Sequence, residues 1–188
     1  GVEQDPGDAH AADLADADQG AWCVVQAAIE FGRLDVLINC AALAPNIPME
    51  QNDVELLMRV LAVNTVGPAA ACLAAWPLMV AQHGGVIVNV SSMATVDPFP
   101  GFFAYATSKG GLNAMTKSLA IEGKAHNIRA YAVAPGAVET PMLRAIVTVE
   151  VLPTEKTLSP EAVARVIMAC VDGTHPVDNG ELVLVPSP

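Results

Sequence analysis

The stretch that decides the fold is GVIVNVSSMATVDPFPGFFAYATSK, residues 85–109. Its first six residues form an apolar run typical of a fully buried β-strand, which delivers Ser91 and Ser92 at its carboxyl end. A loop rich in proline and glycine follows, and then a helical pattern. Tyr105 and Lys109 stand four residues apart in that helix, so both side chains project from one face. The sequence therefore predicts that a hydroxyl, a phenol and an ammonium meet where a buried strand ends.

Such a group of side chains can move a proton on and off a carbonyl or alcohol oxygen. A phenol with a pKa of about 10 is a poor acid–base catalyst at neutral pH, but a neighbouring ammonium favours the phenolate and lowers that pKa. A serine hydroxyl can meanwhile hold the substrate oxygen. A Tyr-x-x-x-Lys pair also arises by chance in helices, and a Ser-Ser pair often ends a strand. These two features alone leave a purely structural interpretation open.

Composition limits the possible functions. The chain has 188 residues, which fits one domain with a substantial core, and 53% of them are hydrophobic against 15% charged. The net charge of −11 argues against nucleic acid or an anionic membrane surface as a partner. We expect no membrane partner, because no apolar run has the length and continuity of a membrane span and no signal-peptide pattern opens the chain.

Potential metal ligands are scattered along the chain. The cysteines are Cys23, Cys40, Cys72 and Cys170, and the histidines are His10, His83, His126 and His175. None of these residues forms a pair with metal-site spacing, so we expect no metal centre. The cysteines lie in apolar segments, which favours reduced, mostly buried thiols and a cytoplasmic protein.

Apolar runs and helical patterns alternate along the chain. After an acidic lead-in over residues 1–20, which we expect to be mostly solvated, the short runs predict strands and the longer patterns predict helices. Expected strands cover 34–39, 86–90, 128–133 and 181–185, and expected helices cover 17–31, 52–82 (kinked or divided at Pro68), 102–126 and 160–171. The alternation predicts an α/β fold in which a parallel sheet has both faces covered by helices.

Small or hydroxyl-bearing residues cluster after three of these strands, where parallel sheets bind ligands. From about Asp13 to the C-terminus, the order and spacing of these motifs resemble the short-chain dehydrogenase/reductase family. The resemblance rests on Asp13-Leu14, Asn39-Cys40-Ala41-Ala42, Asn64, Ser92, YATSK at 105–109 and PGAVETPM at 135–142.

The resemblance implies a Rossmann-type oxidoreductase that uses NAD or NADP on a small-molecule alcohol or ketone. Tyr105 is then the acid–base residue, and Lys109 lowers its pKa and holds the nicotinamide ribose. Ser92 rather than Ser91 polarises the substrate oxygen. Asn64 holds a water that links the lysine to solvent, although a helix-interior asparagine can also simply bond the local backbone.

The resemblance also assigns the residues around the cofactor. Asp13 is expected to touch the adenine, and the segment 135–140 to line the nicotinamide. The implied cofactor-binding set is Asp13, Leu14, Asn39, Ala41, Tyr105, Lys109, Pro135, Gly136, Val138 and Thr140. A substrate cleft lined by Met93, Phe99, Phe102, Phe103 and Met142 is possible, with core packing as the alternative for at least half of them. A homodimer or homotetramer packed through the long helices is expected.

Two departures from the family pattern matter. Cys40-Ala41-Ala42 stands where the family has Asn-Ala-Gly, and Ala42 would be strained if its backbone needed a positive φ. The Gly-rich turn that binds the cofactor pyrophosphate is not found. We therefore expect residues 1–188 to form one partial NAD(P)-binding domain, a doubly wound parallel sheet that is N-terminally incomplete, with strand 34–39 as an exposed edge.

The missing Gly-rich turn keeps two other hypotheses open. One is a non-catalytic interaction or sensor protein of the same fold that has lost cofactor binding. The other is an assembly in which a second chain completes the sheet.

Overall fold

Four parallel strands form a single sheet in the computed structural model, which describes residues 11–188. The order is β1-β2-β3-β4, with β1 at Val36–Asn39, β2 at Gly85–Val90, β3 at Ile128–Pro135 and β4 at Leu182–Val185. The helices are α1 (Ala17–Phe31), α2 (Val54–Leu61), α3 (Gly67–Ala81), α4 (Phe103–Gly123), α5 (Pro141–Arg144) and α6 (Pro160–Asp172). The predicted parallel α/β fold is confirmed. The expectation of a solvated lead-in falls partly on residues 1–10, which lie outside the described part.

Helices cover both faces of the sheet. Alternate residues of each strand point to opposite sides, so a continuously apolar strand needs cover on both. Ile87 of β2 packs in a cluster with residues of α1, α3 and α4, among them Met79. Its neighbours Val86 and Val88 pack on the other side, in a cluster with Ile167 of α6. Both faces of β2 are thus buried, which explains why its sequence is continuously apolar.

A π-helical turn at Ala62–Val66 joins α2 to α3. Pro68 is the second residue of α3 and directly follows this turn, so the predicted kink or junction at Pro68 coincides with the change from π- to α-helical hydrogen bonding in a helix that continues from Val54 to Ala81. The continuous stretch Val54–Ala81 is long and apolar enough to cross a membrane by length and composition, and 18 of its residues in a row have a mean hydropathy of 1.6. The expectation that no segment reaches such a length is therefore wrong. In this fold the stretch packs against α1 and the sheet, with Ala75 and Met79 fully buried.

Strand β1 forms one edge of the sheet in the described part of the chain, because it pairs with β2 alone. Ile38 in its middle is 42% exposed. The sequence prediction of an apolar edge strand at this position is confirmed.

Candidate active site

The carboxyl ends of the strands meet at one edge of the sheet, as parallel pairing requires. Ser91 extends β2 by one residue, because its N–H donates to the Val133 carbonyl oxygen at 2.6 Å. Ser92 then caps a short 3₁₀ turn, Met93–Thr95, and its Oγ accepts a hydrogen bond from the Ala94 N–H at 3.1 Å. The turn fixes the Ser92 hydroxyl at the end of the central strand.

Lys109 lies under this strand end and is only 2% exposed. Its Nζ donates to the Val90 carbonyl oxygen at 2.6 Å and lies 5.9 Å from the centroid of the Tyr105 ring. Burial lowers the pKa of the ammonium to about 8, and the nearby Cys40 side chain opposes this shift. A buried cation is therefore held beside the phenol.

Burial raises the pKa of Tyr105 above its ordinary value, and hydrogen bonding with Ser92 acts in the opposite direction. Ser92, Tyr105 and Lys109 thus lie together at the sheet end, as the sequence predicts. The expected net lowering of the phenol pKa is not found in this structure. The reason is that removal of the ring from water disfavours the phenolate more strongly than its polar neighbour favours it.

Asn64 lies in the π-helical turn with a completely buried side chain. Its Nδ2 donates to the Leu43 carbonyl oxygen at 2.8 Å and to Ser108 Oγ at 2.9 Å, and its Oδ1 accepts from the Leu43 N–H at 2.7 Å. The side chain therefore ties the loop after β1 to helix α4. Both amide hydrogens are used by protein atoms, so the predicted water contact is left to the remaining acceptor sites of Asn64 and stays a prediction.

Asn39 binds within the protein rather than facing the cleft. Its Nδ2 donates to Asn89 Oδ1 at 2.8 Å and contacts Cys72 Sγ at 3.5 Å, while Asn89 Nδ2 donates to Thr116 Oγ1 at 2.8 Å. This chain of polar groups crosses from β1 through β2 to α4. The expectation that Asn39 lines the cofactor site is not supported for its side chain, which is fixed beneath that site.

The turn after β1 tolerates alanine at its last position. Among the described residues other than glycine, only His83 and Asn127 have a positive φ. The backbone of Ala42 therefore needs no glycine, and its replacement of the family's glycine causes no backbone strain. Ala41 is exposed at this edge, and Cys40 is exposed as well, unlike the mostly buried thiols that the sequence suggests.

The segment after β3 contains the residues that the sequence predicts to contact the nicotinamide, and that contact stays a prediction. Pro135 is buried at the end of the strand, and the Gly136 N–H donates to the Val185 carbonyl oxygen at 2.9 Å. The Val138 carbonyl oxygen accepts from Thr140 Oγ1 at 3.2 Å, and this hydroxyl also caps α5. Within residues 11–188, no acceptor takes the Val138 N–H, so this main-chain donor is available to a ligand.

Asp13 and Leu14 serve local structure at the beginning of the described chain. The Asp13 carboxylate accepts the Ala15 N–H at 2.9 Å and is exposed. The Leu14 backbone packs so tightly on α3 that a Cβ at Gly67 would lie 2.6 Å from its carbonyl oxygen. Contact of these residues with adenine stays a prediction.

The residues at this edge fit the nicotinamide end of a dinucleotide. An ammonium has three N–H donors, and Val90 provides the one acceptor that Lys109 finds among the described residues. A vicinal diol such as that of ribose matches the remaining donors. The Val138 N–H suits an amide oxygen in the same way. The described residues contain no group of three or more His, Cys, Asp and Glu side chains that could hold a metal ion.

Sequence reasoning missed Ser108 and Asn113, which support the site from helix α4. Ser108 is completely buried and donates from Oγ to the Tyr105 carbonyl oxygen at 2.7 Å. Asn113 accepts from Ser91 Oγ at 2.5 Å. The sequence did contain a signal for both. Ser108 directly precedes Lys109, and Asn113 stands four residues after it, on the same face of the helix.

Comparisons with known proteins agree with this geometry. Residues 3–150 match the sequence profile of the family described as short chain dehydrogenase. The chain is 40% identical over 134 residues to 2-(R)-hydroxypropyl-CoM dehydrogenase of Xanthobacter autotrophicus, an alignment that covers 70% of this chain and 54% of that protein. It is 35% identical to the 3-oxoacyl-(acyl-carrier-protein) reductase FabG of Thermotoga maritima, over 86% of this chain and 68% of that protein.

A solved structure described as a short chain dehydrogenase/reductase family protein superimposes with a TM-score of 0.80 at 29% identity. The superposition covers 93% of this chain and 73% of that structure. The chain therefore spans only part of the length of its relatives, about half in the case of 2-(R)-hydroxypropyl-CoM dehydrogenase.

Proposed function

The chain belongs to the short-chain dehydrogenase family, whose dehydrogenases use NAD or NADP, and we propose that it interconverts a secondary alcohol and its carbonyl compound. When bound, the nicotinamide cofactor accepts or supplies the hydride. The observation that carries the proposal is the buried Lys109 ammonium, 5.9 Å from the Tyr105 ring, at the edge of the sheet where ligands bind.

Each of the three side chains has a separate role in this proposal. In alcohol oxidation, the Tyr105 phenolate takes the proton of the substrate hydroxyl, and in carbonyl reduction the phenol returns it. The Ser92 hydroxyl donates a hydrogen bond to the substrate oxygen and fixes its position. The Lys109 ammonium favours the phenolate by its charge, because burial keeps water from screening the pair.

The surroundings of Tyr105 favour an apolar, uncharged substrate. Phe99 and Phe102 stack edge to face with ring centroids 5.9 Å apart, and the Phe102 ring lies 5.3 Å from that of Tyr105. Phe99 is 63% exposed, so this aromatic surface is open to a ligand. Arg144 lies at the end of α5, the short helix after the segment 135–140. Its guanidinium is bound to the Glu139 carboxylate and therefore offers no free cation to an anionic substrate.

Turnover with matched substrates tests the proposal. The assay compares two sets of secondary alcohols, neutral ones that carry an apolar ring and the same alcohols with an added carboxylate. Each alcohol is tested with NAD and with NADP, and formation of the reduced cofactor is followed by absorbance. We expect the neutral alcohols to be oxidised with a kcat/KM at least about tenfold higher. In this proposal Lys109 is engaged with the cofactor ribose and Arg144 with Glu139, so neither cation is free to pair with a substrate carboxylate. Binding of NADH or NADPH without turnover of any alcohol would contradict the enzyme and favour a non-catalytic binding protein.

We also propose a cytoplasmic homodimer or homotetramer. Large apolar side chains on the long helices support self-association, since Leu73 of α3 and Ile121 of α4 are 76% and 70% exposed. The mass of the protein in solution tests this, and a monomer at micromolar concentration would exclude it.

A further inference from the structure

A continuous set of hydrogen bonds joins helix α4 to the turn that carries Ser92. Ser91 Oγ donates to Asn113 Oδ1 at 2.5 Å, and Asn113 Nδ2 donates to Thr95 Oγ1 at 3.1 Å. Thr95 Oγ1 in turn donates to the Ser92 carbonyl oxygen at 2.8 Å. The set thus begins at one serine of the Ser-Ser pair and ends on the main chain of the other.

The directions of these bonds explain the residue types. Each hydroxyl has a single hydrogen, and the hydrogens of Ser91 and Thr95 are both committed in the order just described. Position 113 must accept from one hydroxyl and donate to the other, and a side-chain amide does both. Aspartate would offer no donor to Thr95, and leucine would offer neither group.

The position of Asn113 on its helix couples this set to the catalytic groups. Tyr105, Lys109 and Asn113 recur every four residues along α4, so they lie on neighbouring parts of one helix face. The Ser92 turn itself is a single 3₁₀ turn, a geometry with poor hydrogen bonds of its own. Asn113 adds a contact from α4 to the hydrogen bonds of the turn itself, and it does so through Thr95, the last residue of the turn.

We propose that Asn113 and Thr95 are positioning residues that hold the Ser92 hydroxyl against the Tyr105 phenol. The catalytic part of this inference rests on the proposed function, whereas the geometric part does not. Neither residue touches the substrate oxygen in this account. They act through Ser92, whose hydrogen bond lowers the pKa of Tyr105 against the effect of burial.

Thr95→Val and Thr95→Ser form the matched pair for the test. Valine keeps the shape of threonine but removes the hydroxyl, whereas serine keeps the hydroxyl. The titration of Tyr105 is read by ¹⁹F NMR on the chain labelled with 3-fluorotyrosine. Only two tyrosines, Tyr105 and Tyr131, are present, and the signal lost in Tyr105→Phe identifies the first. Lys109, the cation beside the phenol, is the same in all variants.

In Thr95→Val we expect the Tyr105 midpoint to move to higher pH, because Ser92 is no longer held in place. We also expect kcat to fall about tenfold, with the KM for the cofactor unchanged. Thr95→Ser should match the wild type in both. Asn113→Leu should repeat the effect of Thr95→Val, and thermal melting shows that each variant is folded. If Thr95→Val does not fold, Thr95→Ala removes the same hydroxyl without the branched side chain.

The outcomes separate the two levels of the proposal. A shifted midpoint with no turnover even in the wild type would support the positioning role and overturn the proposed function. A midpoint and kcat in Thr95→Val equal to those of the wild type would overturn the positioning role. Equal impairment of Thr95→Ser and Thr95→Val would also overturn it, because the hydroxyl would then not be the cause.

Discussion

Lys109 is the residue whose burial is hardest to explain by a contribution to folding stability. Burial lowers its pKa from 10.5 to about 8, which corresponds to a cost of about 3 kcal/mol in folding free energy at neutral pH. One hydrogen bond to the Val90 carbonyl oxygen offsets only part of such a cost. A charge held at this cost beside a phenol is typical of a functional site.

The pH dependence of stability should report this lysine. Between about pH 8 and 10.5 the unfolded lysine still binds a proton that the folded one has lost, so stability rises with pH in this window. Relative to Lys109→Met, the wild type should therefore gain up to about 3 kcal/mol across it. Urea unfolding of both proteins at several pH values measures the difference.

Groups that do not interact with Lys109 act on both proteins alike and cancel in this comparison. Burial raises the pKa of Cys72 to about 12, which lowers the stability of each protein above about pH 9. Lys117→Met, at an exposed lysine of the same helix, is the matched control. A difference between wild type and Lys109→Met that stays constant from pH 7 to 10 would show that the lysine is not buried as a strained cation.

At this scale the sequence predicted what depends on local geometry. Tyr105 and Lys109 share a helix face because they stand four residues apart, and Ser92 follows an apolar strand. The roles of Asn39 and Asn113 depend instead on which side chains lie across from them in space. The sequence alone does not give those contacts, so the bonds of the Asn39 side chain and the role of Asn113 were not foreseen, whereas contact of Asn39 with the cofactor stays a prediction.

Helix α4 shows how one element meets both solvent and core. Gly110 is exposed on it, and a Cβ there would meet nothing within 4 Å. Gly123, at its end, is buried where the helix meets β3, and a Cβ there would lie 2.5 Å from the Ile128 carbonyl oxygen. The two glycines of one helix therefore have opposite structural requirements.

Alanine at the two positions should change stability in opposite directions. Gly110→Ala should raise the free energy of unfolding by about 0.5–1 kcal/mol, because alanine is the better helix former and restricts the unfolded chain. Gly123→Ala should lower it by about 1–3 kcal/mol, because the added methyl group overlaps backbone atoms that cannot move freely. Chemical unfolding of the two variants measures both values, and a stabilising Gly123→Ala would mean that α4 and β3 pack less closely than described.

Element boundaries were predictable where composition changes sharply. The strand at Gly85–Val90 begins at a glycine and ends directly before Ser91, and helix α1 ends before Gly32. The π-helical turn at Ala62–Val66 was not predictable, because the apolar pattern runs through it without a break. This turn carries Asn64, whose side chain hydrogen-bonds to Leu43 and Ser108. Such contacts between distant parts of the chain form only in the folded protein.

The whole molecule brings together residues from three strand ends that are far apart in sequence. Parallel pairing of β1, β2 and β3 aligns Asn39 with Asn89 and Val90 with Val133, so the segments that follow open on one cleft. The alternation of strands and helices predicted this arrangement, since only a parallel sheet accommodates it. The central claim is that Ser92 and Tyr105 act there as one unit on a single substrate oxygen.

A double-mutant cycle on turnover tests this claim most directly. Ser92→Ala, Tyr105→Phe and the double variant are compared with the wild type on the same neutral alcohol, with Tyr131→Phe, which removes a phenol in the core, as the control. Tyr105→Phe should lower kcat/KM by about 10²–10⁴. The double variant should lose little more, because residues that act as a unit are not additive. Full activity in Tyr105→Phe, or losses that multiply in the double variant, would contradict the account.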